Sequence, residues 1–161
     1  MYSALEIADY VLGYYSFEKD INISNLKLQK ILYFLQANHL VITEKQLFVD
    51  NIEAWDFGPV VYNVYQKYKI YGGGSIPYNL IDKDREYSQL ILSDDRKIIS
   101  ELLDELQDYS ATALLSIIHN QKPWKDAYYS QAYETFDRRN GDWKKIKVIP
   151  IKLLYEYFKE S

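Results

Sequence analysis

From Ser3 the chain reads SALE and then sets Ile7, Ala8, Val11, Leu12 and Tyr15 at helical spacing. A Ser at the N-cap and a Glu three residues on satisfy each other's backbone amides, so a helix with a capping box is predicted here. A second start lies at Ser24 in INISNLKLQK, after which Leu28, Ile31, Leu32, Leu35 and His39 form one stripe of a long, central helix, with Lys27 and Lys30 facing outward. Between Gln46 and Trp55 the pattern turns strand-like. Leu47, Phe48, Ile52 and Trp55 flank Asp50-Asn51, a pair suited to a tight hairpin turn. Gly58-Pro59 reads as a break followed by a helix start, with Val60, Val61, Val64, Tyr65, Tyr68 and Tyr71 at helical period until Gly72-Gly73-Gly74 ends it.

Residues 75–92 read as a surface loop with a short strand at Tyr87 to Leu92. Ser93 is expected to cap a helix that carries Asp94 and Asp95 at its positive end and buries Ile98, Ile99, Leu102, Leu103 and Leu106. Ser110 opens another through Leu114, Leu115, Ile117 and Ile118, which stops before Pro123, and Trp124 to Tyr129 adds a turn or two. Lys145 to Ile149 is a candidate strand, and Pro150 starts a terminal helix with Ile151, Leu154, Tyr155 and Phe158 inward. No segment repeats at a fixed period. The expected architecture is mainly α: a compact bundle of about six helices with two to four short β-strands, forming a single domain over 1–161.

Composition sharpens this. A chain of 161 residues buries roughly 70% of its unfolded surface, enough for a real core. Its 48% apolar and 26% charged residues are ordinary for a globular domain, whereas 17 Tyr is unusual and suits half-buried surfaces that keep a hydrogen-bonding tip. A net charge of −4 disfavours non-specific binding to nucleic acid or anionic lipid. The charge is uneven: residues 82–108 hold nine acids against four bases, a local −5, and residues 138–152 hold six bases against Asp142, a local +5. With no Cys, no apolar run of the roughly 18 residues a membrane span needs, and no signal-like start, the expected location is cytoplasmic, away from membranes.

Groups for chemistry are few. His39 lies on the apolar stripe of the second helix and reads as a hydrogen-bonded core residue; His119 lies near a helix end, where it could cap a carbonyl. Neither has a metal-ligand partner at the spacing of HExxH, and no nucleophile elbow, Walker loop or dinucleotide fingerprint occurs. No catalytic residue, metal or cofactor is assigned, and an enzyme is not expected. The tract Arg138, Arg139, Lys144, Lys145, Lys147, with Trp143 among it, reads as a solvated loop or, alternatively, as a grip for phosphates or an acidic partner.

A surface for protein partners remains. In WDFGPVVYNVYQKYKIY the aromatics exceed what one buried stripe holds, because Tyr62, Tyr65, Tyr68 and Tyr71 run obliquely round the helix. Exposed Tyr and Trp beside apolar groups are common interface anchors. Trp55, Phe57, Tyr62, Tyr65, Tyr68 and Tyr71 are therefore the candidate partner contacts, with core packing as the other reading of Trp55 and Phe57.

Several segments taken in order resemble a known family. LKLQKILYF (26–34), LF at Leu47-Phe48, IEAWDFGPVV (52–61), YKIYG (68–72), YSATALLSIIHNQKPWKDA (109–127) and the closing Ile149-Pro150 are similar to the Panacea domain, the antitoxin part of many bacterial and phage toxin-antitoxin pairs. E-A-W-x-x-G-P-V-V followed by H-x-x-x-P-W is the specific part. The resemblance implies a mostly helical fold, no catalysis, and neutralisation of a cognate toxin by direct binding, with toxins of different chemistry served by one scaffold. It also leaves room for oligomers, for a phage-borne inhibitor of a host defence enzyme, and for a protease adaptor; a DNA-binding regulator is the remaining class. It marks Gly58, Pro59, His119, Pro123 and Trp124, with Trp55, as family positions of structural weight: Gly58 for a close turn, Pro59 for a helix start, and His119 for a bond toward the segment of Trp124.

Overall fold

A computed structural model describes residues 1–81 and 86–161 of the chain. Ser3 forms the capping box with Glu6 and opens α1 (Ala4–Gly13), whose last turn widens into a π turn over Tyr14–Glu18. Ser24 caps α2 (Asn25–Thr43), as its hydroxyl accepts the Lys27 amide. Then come β1 (Glu53–Trp55), β2 (Gly58–Val60), α3 (Tyr62–Tyr68), a 3-10 turn over Lys69–Tyr71, and α4 (Tyr78–Ile81). The remainder is α5 (Ser93–Leu106), α6 (Ala111–His119), α7 (Lys122–Tyr129), β3 (Glu134–Arg139), β4 (Asp142–Lys147) and α8 (Ile151–Phe158). The fold is mainly helical with two small antiparallel sheets, β1-β2 and β3-β4. No helix among the described residues is long and apolar enough to cross a membrane.

Helix α2 lies at the centre and touches α1, α3, α5, α6, α8 and β2. It is enclosed on nearly every side, so polar residues off its apolar stripe are buried too. Each finds backbone to bond, as a buried polar group must. The Gln36 carboxamide accepts from the amides of Leu47 (2.7 Å) and Phe48 (3.2 Å) and donates to the Phe48 carbonyl (2.9 Å). Gln29 accepts from the Val61 amide at 2.8 Å. The non-helical stretch from Leu47 to Val61 is thus pinned to α2 by its own main chain.

The tyrosine load has a structural use. Tyr2 donates to Asp95 (2.7 Å), Tyr10 bonds Ser100 (2.6 Å), Tyr14 donates to Asp104 (2.7 Å) and Tyr15 to the Leu103 carbonyl (2.7 Å). A row of phenols thereby ties α1 and its flanks to α5. Between the same elements Tyr87 packs so closely on Gly13 that a Cβ there would lie 2.3 Å from its ring.

Several expectations need correction. Eight α-helices are present among the described residues, more than about six, because 78–81 forms a short helix and 122–129 a separate one. Asp50-Asn51 is not a hairpin turn. Phe48 forms an isolated bridge to Tyr2, and the hairpin turns at Asp56-Phe57. Pro59 does not start a helix: it pairs with Ala54 inside β2, and α3 begins only at Tyr62. Alternate antiparallel pairs exchange no hydrogen bond, so such a position tolerates a residue without an amide proton. Tyr87 to Leu92 is no strand but a run of turns closed by the Gln89 and Ile91 amides on the carbonyls of Glu86 and Ser88. The part of that connection at 82–85 lies outside the described residues. Ser93 is the first residue of α5 and not its cap; the Leu92 amide is taken by the Tyr2 hydroxyl. The basic tract is a β-ribbon and not a loop, turning at Asn140-Gly141 with φ of 52° and 83°.

Candidate protein-binding site

The β1-β2 hairpin pairs Glu53 with Val60, Ala54 with Pro59 and Trp55 with Gly58, leaving Asp56 and Phe57 at its tip. Gly58 adopts φ +100°, and a Cβ on it would fall 2.9 Å from a methyl of Leu115. A φ in this range is open to glycine and strained for any other residue, and the surroundings hold the turn at three consecutive carbonyls. The Trp124 indole of α7 donates to the Trp55 carbonyl at 2.9 Å. The imidazole of His119, at the end of α6, donates through Nε2 to the Asp56 carbonyl at 3.2 Å. Lys30 of α2 donates through Nζ to the Phe57 carbonyl at 2.6 Å. The Tyr128 hydroxyl adds a bond to the Asp56 carboxylate. His119, Trp124 and Tyr128 are stacked, with ring centres 4.2 Å and 4.6 Å apart in turn.

Lys30 has no exposed surface, against the expectation that it faces outward. Burial brings its ammonium down to about 8. The charge is thereby costly, and the turn carbonyl is what it serves. On the other side of the hairpin the buried Glu53 carboxylate receives both terminal nitrogens of Arg139 and, at 3.0 Å, the Trp55 indole. The Arg139 guanidinium lies 3.6 Å from the centre of the Tyr62 ring, and Tyr65 meets Trp55 edge-on at 5.0 Å. These contacts bind the basic ribbon to the hairpin.

The candidate contacts divide accordingly. Phe57 is 68% exposed at the tip; Trp55, Tyr62 and Tyr65 are half-buried around it. Tyr71 is half-buried against the core, and Tyr68 is 1% exposed, part of the core itself, which corrects its assignment to the contact surface. Gly58, Pro59, His119 and Trp124 all converge on the hairpin, and Pro123, buried in the first turn of α7, aims Trp124 at it. Sequence reasoning missed Lys30, Asp56, Tyr128 and Arg139. For Arg139 the signal was the Asn140-Gly141 turn, which predicts two paired strands. For Lys30 no periodic signal exists, because it lies opposite the apolar stripe. His39, expected as a core residue, is buried between the Lys45 carbonyl (2.7 Å) and Asp95 (2.9 Å).

A groove of about 690 Å³ opens between this hairpin and β4. Trp55, Phe57, Tyr65 and Tyr128 form one wall, and Lys144, Lys145 and Lys147 the other. The arrangement holds a rigid apolar projection beside a row of cations, which is binding chemistry.

Residues 28–125, more than half of the chain, match the family model described as antitoxin SocA-like, Panacea domain. Antitoxin SocA of Caulobacter vibrioides (strain NA1000 / CB15N) is 36% identical over 112 residues, a match covering 65% of this chain and 60% of that protein. No solved structure matches the chain. The matched span contains Lys30, the hairpin and the His119–Trp124 segment that clamps it, and the chain accordingly belongs to the SocA-like antitoxin family of Panacea-domain proteins.

Proposed function

We propose that this chain is a non-catalytic antitoxin that neutralises a toxin encoded beside it by direct complex formation in the cytoplasm, without nucleic acid or membrane, and that the clamped hairpin is its contact. The observation behind this reading is the tip: Phe57 projects into solvent from a loop whose three carbonyls, 55 to 57, each receive a side-chain donor from a different helix. Preorganisation of that kind lowers the entropy cost of association, and an exposed aromatic beside half-buried Trp55, Tyr62 and Tyr65 suits an anchor ringed by groups that exclude water. Masking or locking the toxin is the mechanism that follows.

The test is co-expression. The product of the neighbouring reading frame should arrest growth alone and not in the presence of this chain. Phe57→Ala should leave folding intact, because the ring is exposed, yet weaken the purified complex by about 2 kcal/mol. A harmless neighbour, or full affinity in Phe57→Ala, rejects the reading or the contact respectively.

A further inference from the structure

Side chains alternate between the two faces of a strand, and cross-strand partners share a face. The register of the β3-β4 ribbon therefore sorts its residues. Asp137 and Arg139 lie on the inner face, where Arg139 bonds both Asp137 and Glu53, and Ile146 on that face is half-buried. Phe136 with its partner Lys145, and Arg138 with its partner Trp143, lie on the outer face. All four are exposed, Phe136 by 64% and Trp143 by 66%. An antiparallel pair with one face in water normally turns its apolar side chains inward and its polar ones out. Here the order is reversed: the inner face is mostly polar and two large rings face water. An exposed apolar group that the fold itself does not use marks a surface for a partner.

The ribbon is also held in place. Near its turn Arg139 reaches the Glu53 carboxylate, and at its other end Val148 bridges Glu53 while the Ile149 amide bonds the Ile52 carbonyl at 2.8 Å. The outer face is thus presented at a fixed angle to the hairpin. Lys145 also lines the groove beside Trp55 and Phe57, so this face continues the surface of the hairpin tip.

Charge narrows the choice of what fits. The Arg138 guanidinium lies 5.8 Å from the centre of the Trp143 ring and has no ion-pair partner among the described residues. Lys145 stands 3.6 Å from Glu134 with more than half its side chain exposed. The face is therefore apolar at its centre and cationic around it, in a chain of net charge −4. A nucleic acid would meet two cations here with Glu134 beside one of them, too few to offset that charge. A protein patch with carboxylates around an apolar centre is the complement.

Resting on the antitoxin reading, we infer that the outer face of the β3-β4 ribbon is a second contact for the toxin and takes an acidic patch of its surface. The apolar centre of that patch packs on Phe136 and Trp143, and its carboxylates pair with Arg138 and Lys145. Exposed charges of this kind set the rate of encounter, and the rings they surround set the lifetime of the complex.

The test follows association and dissociation of the purified neighbouring gene product on the full chain by surface plasmon resonance. Arg138→Glu/Lys145→Glu reverses the cations, Phe136→Thr/Trp143→Thr removes the rings while keeping residues that favour strands, and Lys97→Glu/Lys152→Glu makes the same change in net charge at exposed positions elsewhere. All six side chains are exposed, so each variant should keep its thermal transition. Reversing the ribbon cations should slow association at least tenfold at low salt, a difference that fades at high salt, and the remote control should not. The threonine variant should dissociate at least tenfold faster with association unchanged. Wild-type kinetics in both ribbon variants, with the wild-type complex intact, overturns the second contact and leaves the antitoxin reading in place. An equal slowing in the remote control overturns it too, since net charge alone then acts. If the wild type forms no complex with the neighbour, both fall. Retention of a DNA duplex, or self-association of the chain, that the ribbon variants lose while toxin kinetics stay unaltered assigns the face to that occupant and overturns the proposal as well.

Discussion

The Trp124 indole donates a 2.9 Å hydrogen bond to the backbone carbonyl of Trp55. It joins two segments far apart in sequence at the hairpin turn, and it explains why an aromatic with a donor is needed there. Trp124→Phe keeps the stacking surface for His119 and Tyr128 but leaves the carbonyl without its indole. The expected cost is about 1–3 kcal/mol, read as a lower urea midpoint with an unchanged slope.

Lys30 separates packing from charge. Lys30→Ala removes a fully buried stem and the donor to Phe57, and should cost about 2 kcal/mol or more. Lys30→Met keeps the stem, sheds a buried charge, and should stay within about 1.5 kcal/mol of wild type. Because burial lowers the folded value to about 8 from 10.5, the unfolded chain binds the extra proton between those values. Wild-type stability should therefore rise relative to Lys30→Met as pH climbs from about 8 toward 10.5. Parallel thermal melts of the two proteins across that window check the sign.

Legibility followed the kind of signal each residue leaves. Caps at Ser3, Ser24 and Ser110 are local chemistry, and all three hydroxyls accept the expected amides. Stripes such as Ile99, Leu103 and Leu106 record one-sided burial, and those residues are buried. Lys30 and Gln36 were unreadable because α2 is buried all round, where periodicity no longer separates inside from outside. Pro59 misled because proline suits both a helix start and an unbonded strand position. The hairpin was recognisable as a motif, EAWDFGPVV, before its physical role was. That role needs donors from α2, α6 and α7, which only the folded chain assembles.

Asp95 sets an acid limit. Burial alone would raise its carboxyl, but hydrogen bonds from Tyr2 and His39 outweigh this and hold it below the ordinary 3.8. A depressed folded value contributes stability that is full above the unfolded value and lost as pH falls through the folded one. Asp95→Asn should therefore be less stable than wild type near neutrality and converge with it below about pH 4. Parallel acid curves throughout would remove Asp95 from this role.

Gly58 and Gly73 make a matched pair. Gly58 combines φ +100° with a Cβ position 2.9 Å from Leu115, whereas Gly73 has nothing within 4 Å of its Cβ position and no positive φ. Gly73→Ala should be neutral or gain up to about 1 kcal/mol by restricting the unfolded chain. Gly58→Ala must bear a strained backbone and push a packed methyl, a cost of about 1–3 kcal/mol. The harm should extend past stability, since moving residue 58 draws Phe57 off the Lys30 ammonium and the tip loses its fixed aim. At a temperature where both variants are folded, Gly58→Ala should bind the toxin more weakly than Gly73→Ala. Equal affinities would mean that the tip adapts on binding and that its three clamps serve stability alone.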